Sequence, residues 1–328
     1  MSLSKTILTS KNLTVGYKNK DVLKELDLNL RKGELTCLLG PNGSGKSTLI
    51  RSLAGIQKPL AGEVQIHDKS ITEINAKEMA KTLSLVLTDR IAPGNLTVYA
   101  LVSLGRFPYT SWMGALNDSD KALIQWAMEV TGSLQFADRH IGELSDGERQ
   151  KVMIARALVQ DTEIIVLDEP TAHLDSPNRI EIFHLLQDLT KKTGKTILIS
   201  THEIDMAIES CHNMWLVMPD KKVALGLPEE LILSGSLEKA FGSEALTFDY
   251  LKGKFSKNLE GHDFIIEVIG EPVLVKWTKN AINRIQQHIK SDCQVEVLGT
   301  PKDPTWKVSG TDKKFNSLTL LISYLKTT

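Results

Sequence analysis

Continuous hydrophobic runs of strand length recur along the first two thirds of the chain. They are Leu35–Leu39, Ile164–Leu167, Thr196–Ser200 and Met214–Met218. Apolar runs of this length are typical of strands that are buried on both faces. Between the second and third runs, Arg179–Leu189 places apolar side chains at helical spacing. A strand, a helix and a strand in this order predict a parallel sheet with crossover helices.

The segments around these runs have other patterns. Residues 1–35 predict short strands with turns, including Leu13–Val15 and the alternating stretch Leu26–Leu30. The pattern over Ser47–Ala54 predicts a helix, and the glycine directly after it is a signal for the end of that helix. Residues 96–160 are mostly helical in pattern, with Pro, Gly and Trp between the helices.

The chain changes character near residues 250–262, where a basic, polar and glycine-containing stretch predicts a linker. Beyond the linker, the predicted strands lie around Phe264–Val268, Val273–Trp277, Gln294–Leu298 and Trp306–Val308, and the predicted helices lie at about 279–290 and 317–326. The predicted organisation is a first domain over 1–250 with helices at about 96–160, a linker over 251–262, and a small α+β domain over 263–328.

Charge and composition exclude several classes of protein. Lys and Arg total 39 and Asp and Glu total 40 in 328 residues, so the formal net charge is −1. This balance gives no indication of nucleic-acid binding, which normally uses a basic surface. With 41% apolar and 24% charged residues, the chain is not disordered, collagen-like or a disulfide scaffold. No stretch approaches the roughly 20 apolar residues of a membrane span, and the N-terminus lacks the apolar core of a secretory signal.

The cysteines add little chemistry. Cys37, Cys211 and Cys293 are few, far apart along the chain and odd in number. This usage is typical of a protein from a reducing cytosol. The three positions show no spacing of metal ligands.

A phosphate-binding loop stands between the first apolar run and the first helix. Residues 40–47 read GPNGSGKS and match G-x-x-x-x-G-K-[ST], in the strand–turn–helix context that the motif requires. Glycines let successive N–H groups point inward at phosphate oxygens, and the helix start adds partial positive charge. The predicted phosphate-contacting residues are Gly40, Pro41, Asn42, Gly43, Ser44, Gly45, Lys46, Ser47 and Thr48. Lys46 would bridge the β- and γ-phosphates, and Ser47 would bind Mg²⁺.

Two acids end the second apolar run, which reads IIVLDE over residues 164–169. Two carboxylates at the mouth of a buried strand cost desolvation unless a positive charge lies beside them. A nucleotide-bound Mg²⁺ supplies that charge. We therefore expect Asp168 to bind Mg²⁺ and Glu169 to act as the general base on the attacking water.

Residues 144–150 read LSDGERQ and lead into a helix, KVMIARAL. By itself this segment also fits an ordinary helix start capped by Ser145. Beside the two preceding motifs it resembles the LSGGQ-like signature of ATP-binding cassette (ABC) ATPases. The match is Leu144, Ser145, Gly147 and Gln150, with Asp146 and Glu148 at the variable positions. The resemblance covers about residues 5–245 and implies an α/β P-loop NTPase fold with a parallel-sheet core, an antiparallel β subdomain and a helical subdomain.

The resemblance implies a paired assembly. In that family the signature faces the γ-phosphate bound on the opposite subunit, as a helix N-terminus suits an anion. The chain holds one phosphate loop and one signature, so the resemblance implies two ATP sites between head-to-tail cassettes, in a homodimer if both cassettes are this chain. It also implies ATP and Mg²⁺ as cofactors, with Ser145, Gly147 and Glu148 on the signature side of the nucleotide.

Three further residues match family positions. Tyr17 matches the aromatic residue that stacks on adenine, although a tyrosine in the core is the alternative. Asp175, in the sequence AHLD, matches the acid of the D-loop. His202, after the strand TILIST, matches the switch histidine that contacts the γ-phosphate and so joins Lys46 and Glu169 in the predicted catalytic set.

One position departs from the family pattern. Family members usually carry a glutamine after a strand in the region of residues 83–90, where this chain reads LSLVLTDR. An ungapped comparison puts Thr88 at the glutamine position and Asp89 next to it. Either oxygen-bearing side chain is a candidate to replace the glutamine near Mg²⁺, and the sequence does not choose between them.

Residues 97–114 read TVYALVSLGRFPYTSWMG. They resemble the segment V-x-x-L-V-x-x-G-R-x-P of importer cassettes for iron–siderophore complexes, haem and cobalamin. The resemblance implies a peripheral ATPase subunit on the cytoplasmic face of the inner membrane, with permease subunits as direct partners and a substrate-binding protein as an indirect one. We expect Thr88–Gly114 to face the permease. Phe107, Tyr109 and Trp112 either form that interface or pack inside the helical subdomain.

Other readings of the sequence remain open. An exporter ATPase would share all the ATP motifs, and a soluble ABC ATPase for iron–sulfur assembly is compatible with the length. The importer-like 97–114 segment favours neither. A regulatory, non-catalytic cassette would usually lack part of the catalytic set, which is complete here. The domain over 263–328 lies outside the cassette resemblance and reads as a dimer-stabilising or interaction module, with ligand sensing as the alternative.

Overall fold

The computed structural model describes residues 5–18, 20–87, 95–110, 114–243, 246–250, 252–257, 266–285 and 293–327. Its contacts divide the chain into two compact units, residues 1–256 and 257–328. The strands that begin in the first unit are β1 (Thr6–Tyr17), β2 (Lys20–Leu26), β3 (Asn29–Arg31), β4 (Leu35–Leu39), β5 (Ala61–Ile66), β6 (Lys69–Ser70), β7 (Leu83–Val86), β8 (Ile164–Asp168), β9 (Thr196–Thr201), β10 (Asn213–Val217), β11 (Val223–Gly226), β12 (Leu246–Asp249) and β13 (Lys254–Lys257). Its α-helices are α1 (Lys46–Leu53), α2 (Ala76–Thr82), α3 (Val98–Ser103), α4 (Asp118–Val130), α5 (Asp146–Val159), α6 (Ser176–Thr193), α7 (Ile204–Ser210), α8 (Pro228–Leu233) and α9 (Ser236–Phe241).

A six-stranded sheet forms the centre of the first unit, in the order β11-β10-β4-β9-β8-β7. All its pairs are parallel except β10 with β11. Every residue of β4, β8 and β9 is buried, which confirms the prediction made from the apolar runs. Because parallel strands end at the same edge, the segments that follow these three strands meet there.

An antiparallel sheet packs beside the first, in the order β2-β1-β5-β6 with β3 on β1. The stretch Leu26–Leu30, predicted as one strand, is divided between the end of β2 and the start of β3. The hydroxyl of Ser10 explains the break, because it donates to the Leu26 carbonyl and accepts from the Leu28 N–H. A side chain thereby satisfies backbone groups that a continuous strand would pair.

The predicted helical region is confirmed and is held by a buried ion pair. Arg106, in a 3-10 turn after α3, donates to Asp120 in the first turn of α4 at 2.7 Å and to the Val159 carbonyl at the end of α5 at 3.0 Å. Burial alone would raise the pKa of Asp120, but the Asn117 N–H and the Arg106 guanidinium lower it overall. One arginine therefore joins three helical segments.

The structure pairs Cys37 in β4 with Cys211 just after α7 in a disulfide. The interpretation of the cysteine usage as typical of a reducing cytosol stays a prediction. The two residues are 174 positions apart, and only the packing of the α7 end beneath β4 brings them together.

The second unit contains β14 (Ile266–Gly270), α10 (Pro272–Asn283), β15 (Cys293–Thr300), β16 (Asp303–Val308), β17 (Lys314–Phe315) and α11 (Leu318–Thr327). Its sheet has the order β14-β15-β16-β17, with both helices contributing to one apolar core. The strand predicted at Val273–Trp277 is wrong, because these residues lie in α10. Glu271 caps this helix and Pro272 begins it, and Leu274, Thr278, Ala281 and Ile282 are buried at helical spacing.

We expect the Arg106–Asp120 pair to contribute strongly to stability. Arg106→Met leaves a buried carboxylate without its partner, which costs about 3–5 kcal/mol of unfolding free energy. Denaturant unfolding measures this loss. Because the folded-state pKa of Asp120 is lowered, the pair's contribution is present at neutral pH and disappears as the pH falls through that pKa.

The matched control is Lys121→Met, which removes an exposed ion pair with Asp118. We expect this variant to lose less than about 1 kcal/mol of unfolding free energy. Equal losses in the two variants would contradict the structural role of Arg106.

Candidate functional site

The phosphate loop is closely packed between β4 and α1. Gly43 and Gly45 have φ angles of 75° and 102°, in the left-handed region that favours glycine. A Cβ on Gly45 would come within 2.3 Å of Val22 Cγ1, and one on Gly40 within 2.9 Å of Val217 Cβ. Gly45 is therefore fixed by sterics as well as by its dihedral angle, Gly40 by sterics alone and Gly43 by its dihedral angle alone.

Lys46 lies inside this loop, with its side chain only 4% exposed. Its ammonium donates to the carbonyl oxygens of Gly40 at 2.9 Å and Pro41 at 3.2 Å, and it lies 3.1 Å from Glu169 Oε1. An ammonium has three donors, and these three contacts use all of them. A bound anion must therefore displace at least one of these partners.

The loop fits a phosphate ligand by a further observation. Ser44 Oγ is buried and has no hydrogen-bond partner among the described residues. A buried hydroxyl without a partner is costly, and a phosphate oxygen within the loop would supply one. Ser47, in the first turn of α1, is half-buried and follows Lys46 directly.

Tyr17 lies beside the start of α1. Its ring is 53% exposed, and its hydroxyl accepts a hydrogen bond from Thr48 Oγ1 at 3.3 Å. An exposed ring does not fit the alternative of a core tyrosine. The open ring face next to the phosphate loop is available to stack on a planar ligand.

The two acids meet the loop at the edge of the sheet. Asp168 is 2% exposed and accepts from Ser200 Oγ on the neighbouring strand β9 at 2.6 Å. The same hydroxyl accepts from the Glu169 N–H at 2.9 Å. Ser200 thus fixes both carboxylate residues. Its role was not predicted, because the only signal in the sequence was a serine within a buried apolar strand.

Glu169 has a strained backbone. Its φ is 47°, which non-glycine residues rarely adopt and which costs of order 1–3 kcal/mol. In this conformation its carboxylate reaches Lys46. Strain of this kind persists where the surrounding structure imposes it, as the Ser200 hydrogen bond does here.

His202 follows β9 at the same edge and is partly exposed. Its Nε2 lies 3.3 Å from Glu203 Oε1, and Glu203 also accepts from Arg179 at 2.6 Å. Among the described residues, no hydrogen bond or ion pair joins His202 to Lys46 or to the two acids. The structure therefore brings Lys46 and Glu169 together and leaves the imidazole turned toward Glu203.

The signature residues form a second group at the start of α5. Ser145 caps the helix, accepting from the Glu148 N–H and donating to Glu148 Oε2 at 2.9 Å. The Ser145 N–H and hydroxyl hold the pKa of Glu148 below its usual value. This capping box is also what an ordinary helix start would form, so the cap geometry alone does not identify a ligand site.

Packing against α6 adds a specific feature to the signature. A Cβ on Gly147 would lie 2.8 Å from Asn178 Oδ1, and Asn178 donates to the carboxylate of Asp175 at 2.6 Å. Asp175 in turn caps α6. The glycine of the signature and the predicted D-loop acid are therefore in contact through one asparagine.

A cleft joins the two groups. It is lined by Asp168 and Glu169 on one side and by Asp146, Arg149 and Gln150 of α5 on the other. The amide nitrogen of Gln150 is buried and lacks a partner among the described residues. This donor is available to a ligand bound in the cleft.

The metal prediction rests on few protein ligands. No group of three or more His, Cys, Asp or Glu side chains forms a metal cluster in the described part of the chain. Asp168 and Ser47 alone suit Mg²⁺, which takes one or two protein ligands together with phosphates and waters. Thr88 and Asp89 lie outside the described residues.

Where the chain is described, none of its helices is long and apolar enough to cross a membrane.

Two family profiles match the chain. The profile of the ABC transporter family matches residues 23–172. The profile of the iron ABC transporter C-terminal domain matches residues 264–326. The second match falls within the second unit, outside the ATP motifs.

Curated relatives extend this likeness. The chain is 37% identical over 260 residues to the iron(3+)-hydroxamate import ATP-binding protein FhuC of Bacillus subtilis, covering 75% of this chain and 97% of that protein. It is 32% identical over 249 residues to the ferric enterobactin transport ATP-binding protein FepC of Escherichia coli, covering 76% and 92%. An uncharacterized ABC transporter ATP-binding protein, MJ0873 of Methanocaldococcus jannaschii, is 37% identical over 289 residues, covering 86% and 100%.

Solved structures agree on the fold. CbiO1 of Clostridium perfringens, part of the ABC transporter complex CbiONQ, is 32% identical with a TM-score of 0.62, covering 71% of this chain and 93% of that one. The dimeric cassette MJ0796 is 28% identical with a TM-score of 0.59, covering 68% and 99%. These likenesses confirm the predicted cassette fold for the first unit.

We expect Ser200 to position both acids. Ser200→Ala removes the hydroxyl that holds Asp168 and the Glu169 N–H, and losing such a supporting hydrogen bond typically costs 10–100-fold. The prediction is a fall of about that size in kcat for ATP hydrolysis, with ATP binding retained.

Ser84→Ala is the control, because Ser84 is an equally buried serine that bonds Thr162 at the other end of the sheet. The role of Ser200 is refuted by wild-type turnover in Ser200→Ala, or by an equal loss in both variants.

Proposed function

The chain belongs to the ABC transporter family, and we propose that it is the ATP-hydrolysing subunit of an importer for iron–siderophore or similar metal chelates. ATPase activity follows from the family and from the presence of Lys46, Asp168, Glu169 and His202. The observation that carries the cargo class is the iron ABC C-terminal profile over residues 264–326, supported by relatives that are named for iron-chelate import. Both favour import over the exporter and iron–sulfur assembly alternatives.

In this proposal the phosphate loop holds the nucleotide. Ser47 and Asp168 bind Mg²⁺, and the ring of Tyr17 stacks on adenine. The buried, hydrogen-bonded carboxylate of Asp168 suits a hard cation. Mg²⁺ supplies charge neutralisation on the phosphates, while the chain supplies positioning.

Glu169 is the general base, and its pairing with Lys46 regulates it. In the structure its carboxylate lies against the ammonium that the phosphates need. A triphosphate carries more negative charge than one carboxylate, so it wins the competition for Lys46. Glu169 is thereby released to orient the attacking water and accept its proton. His202 moves from Glu203 toward the γ-phosphate.

Two copies complete each site. Within one chain, Lys46 and the acids form one group, and Ser145, Gly147, Glu148 and Asp175 form another around the α5 and α6 starts. A head-to-tail pair of chains sets the loop of one copy against the signature of the other, giving two ATP sites. The dimeric cassette among the structural relatives supports this arrangement.

The helical subdomain contacts the permease at the cytoplasmic membrane face. Phe107 is 76% exposed, the largest exposure of any aromatic side chain in the described residues. Tyr109 instead packs under Arg106, with the guanidinium carbon 4.0 Å from its ring centroid. Phe107 therefore anchors the interface while Tyr109 supports the turn. Trp112 lies outside the described residues.

Glu169→Gln tests the catalytic assignment. The amide cannot accept the proton, so we expect kcat for ATP hydrolysis to fall about 10²–10⁴-fold. ATP affinity is expected to stay equal or rise, because Lys46 loses a charged competitor. Turnover is measured by phosphate release and affinity by equilibrium binding. Glu163→Gln is the control, since Glu163 pairs with Lys32 and His67 away from the site. Wild-type turnover in Glu169→Gln overturns the assignment.

Phe107→Ser tests the permease contact. Truncating a central aromatic anchor typically costs 2 kcal/mol or more of binding, or roughly 30-fold in affinity. We expect loss of copurification with the permease and reduced uptake of the iron chelate, with ATP binding unchanged. Leu233→Ser, at an 80% exposed leucine of α8, is the matched control. Unaltered copurification of Phe107→Ser would place the interface elsewhere.

A further inference from the structure

The orientation of the Tyr17 ring depends on the backbone that carries it. Tyr17 is the last residue of β1, at the end of the hairpin with β2, and its ring is 53% exposed. Its hydroxyl contacts Thr48 Oγ1 at 3.3 Å, which is long for a hydrogen bond between two hydroxyls. A largely exposed ring with so weak a contact is oriented mainly by its own peptide group.

The hairpin gives that peptide group little support. The pairing of β1 with β2 is irregular on both sides of Val15, just before Gly16 and Tyr17. Irregular pairing disrupts the hydrogen-bond ladder locally and increases its twist. A Cβ on Gly16 would come within 2.1 Å of the Lys20 carbonyl oxygen, so the strand end has no room for a side chain that could hold it. Support for the strand end therefore comes from another segment.

The segment after α1 supplies this support through Gln57. The Gln57 Nε2 donates to the Gly16 carbonyl oxygen at 2.6 Å. That oxygen belongs to the planar peptide group that ends at the Tyr17 nitrogen, so holding it fixes the plane from which the Tyr17 residue continues. In the same segment the Leu60 N–H donates to the Thr14 carbonyl at 2.8 Å, which ties the segment to β1 a second time.

Gln57 is also bound to the helix of the phosphate loop. Its own N–H donates to the Arg51 carbonyl, near the end of α1, at 3.0 Å, and α1 begins at Lys46 within the loop. One residue therefore connects the helix that starts at the phosphate site with the peptide that carries the aromatic ring. A bound nucleotide has to reach both places at once, so this connection governs how its phosphate and base contacts fit together.

We propose that Gln57 is a positioning residue for the nucleotide base, because its amide fixes the Tyr17 ring relative to the phosphate loop. This inference rests on the proposed function for the stacking of adenine on Tyr17. Preorganising a contact raises affinity by lowering the cost of ordering it on binding. The amide serves the base contact and leaves the phosphate contacts unchanged. Its loss is therefore expected to weaken the binding of ATP, but not the binding of inorganic tripolyphosphate, which has no base.

Gln57→Ala in the full chain tests the proposal. The affinities for ATP and for tripolyphosphate, measured by equilibrium binding and competition, give an affinity ratio in which general damage to the phosphate loop cancels. One neutral hydrogen bond corresponds to about threefold to tenfold in affinity, so we expect the ratio to fall by that factor. KM for ATP is expected to rise with kcat unchanged, which is the pattern of a lost contact that is equal in the ground and transition states.

Two further substitutions at Gln57 separate the hydrogen bond from packing. Gln57→Glu keeps the shape of the side chain without the donor, and it is expected to lower the ratio as Gln57→Ala does. Gln57→Lys keeps a donor of similar reach, and it is expected to restore the ratio. Gln65→Ala is the matched control, because Gln65 is another half-buried glutamine of this unit and its amide bonds Glu63. It should have the wild-type ratio.

Tyr17→Ala separates this inference from the proposed function. By itself it is expected to lower the ratio, and adding Gln57→Ala is expected to lower it no further, because the amide acts through the ring. A wild-type ratio in Gln57→Ala, an equal loss for ATP and tripolyphosphate, or additive losses in the double variant would overturn the positioning role while the adenine contact stands. A wild-type ratio in Tyr17→Ala would instead contradict the adenine contact itself, and the positioning role with it.

Discussion

The contact between the Lys46 ammonium and the Glu169 carboxylate depends on almost every other feature of the first unit. Burying a lysine requires compensating oxygen atoms, and these come from the loop carbonyls and from one acid on a neighbouring strand segment. The acid can reach only because β4, β9 and β8 are adjacent and parallel, so that their following segments meet. The apolar strands thus serve to bring opposite charges to one edge.

In the function that we propose, a nucleotide bound at this edge would act as a switch. In the structure the Lys46 ammonium and the Glu169 carboxylate pair with each other, and Ser44 and Gln150 have buried polar atoms with no partner among the described residues. A ligand with several anionic oxygens would compete with Glu169 for Lys46 and would offer acceptors to the buried donors. The cleft lined by the two acids and by residues of α5 lies between the end of β8 and the signature helix.

Sequence reasoning succeeded where one pattern dominates and failed where partners are distant. Leu35–Leu39 was predicted with its observed bounds, because a run of four apolar residues and one threonine directly before a glycine loop has one interpretation. Val273–Trp277 was wrongly predicted as a strand. Its two valines and one tryptophan favour a strand, and this preference was given more weight than the helix-start signals of Glu271 and Pro272. The roles of Ser200 and of the Arg106–Asp120 pair were not predicted, because they depend on side chains that only the tertiary fold brings together.

The left-handed backbone at Glu169 has an evolutionary consequence. Glycine or asparagine would adopt this conformation more easily, so drift toward a more stable fold pushes this position away from glutamate. Only selection for turnover opposes that drift. A duplicate of this gene released from its transport role would therefore be expected to lose its acid here early, while Gly40 and Gly45, where a side chain would clash, would persist longer.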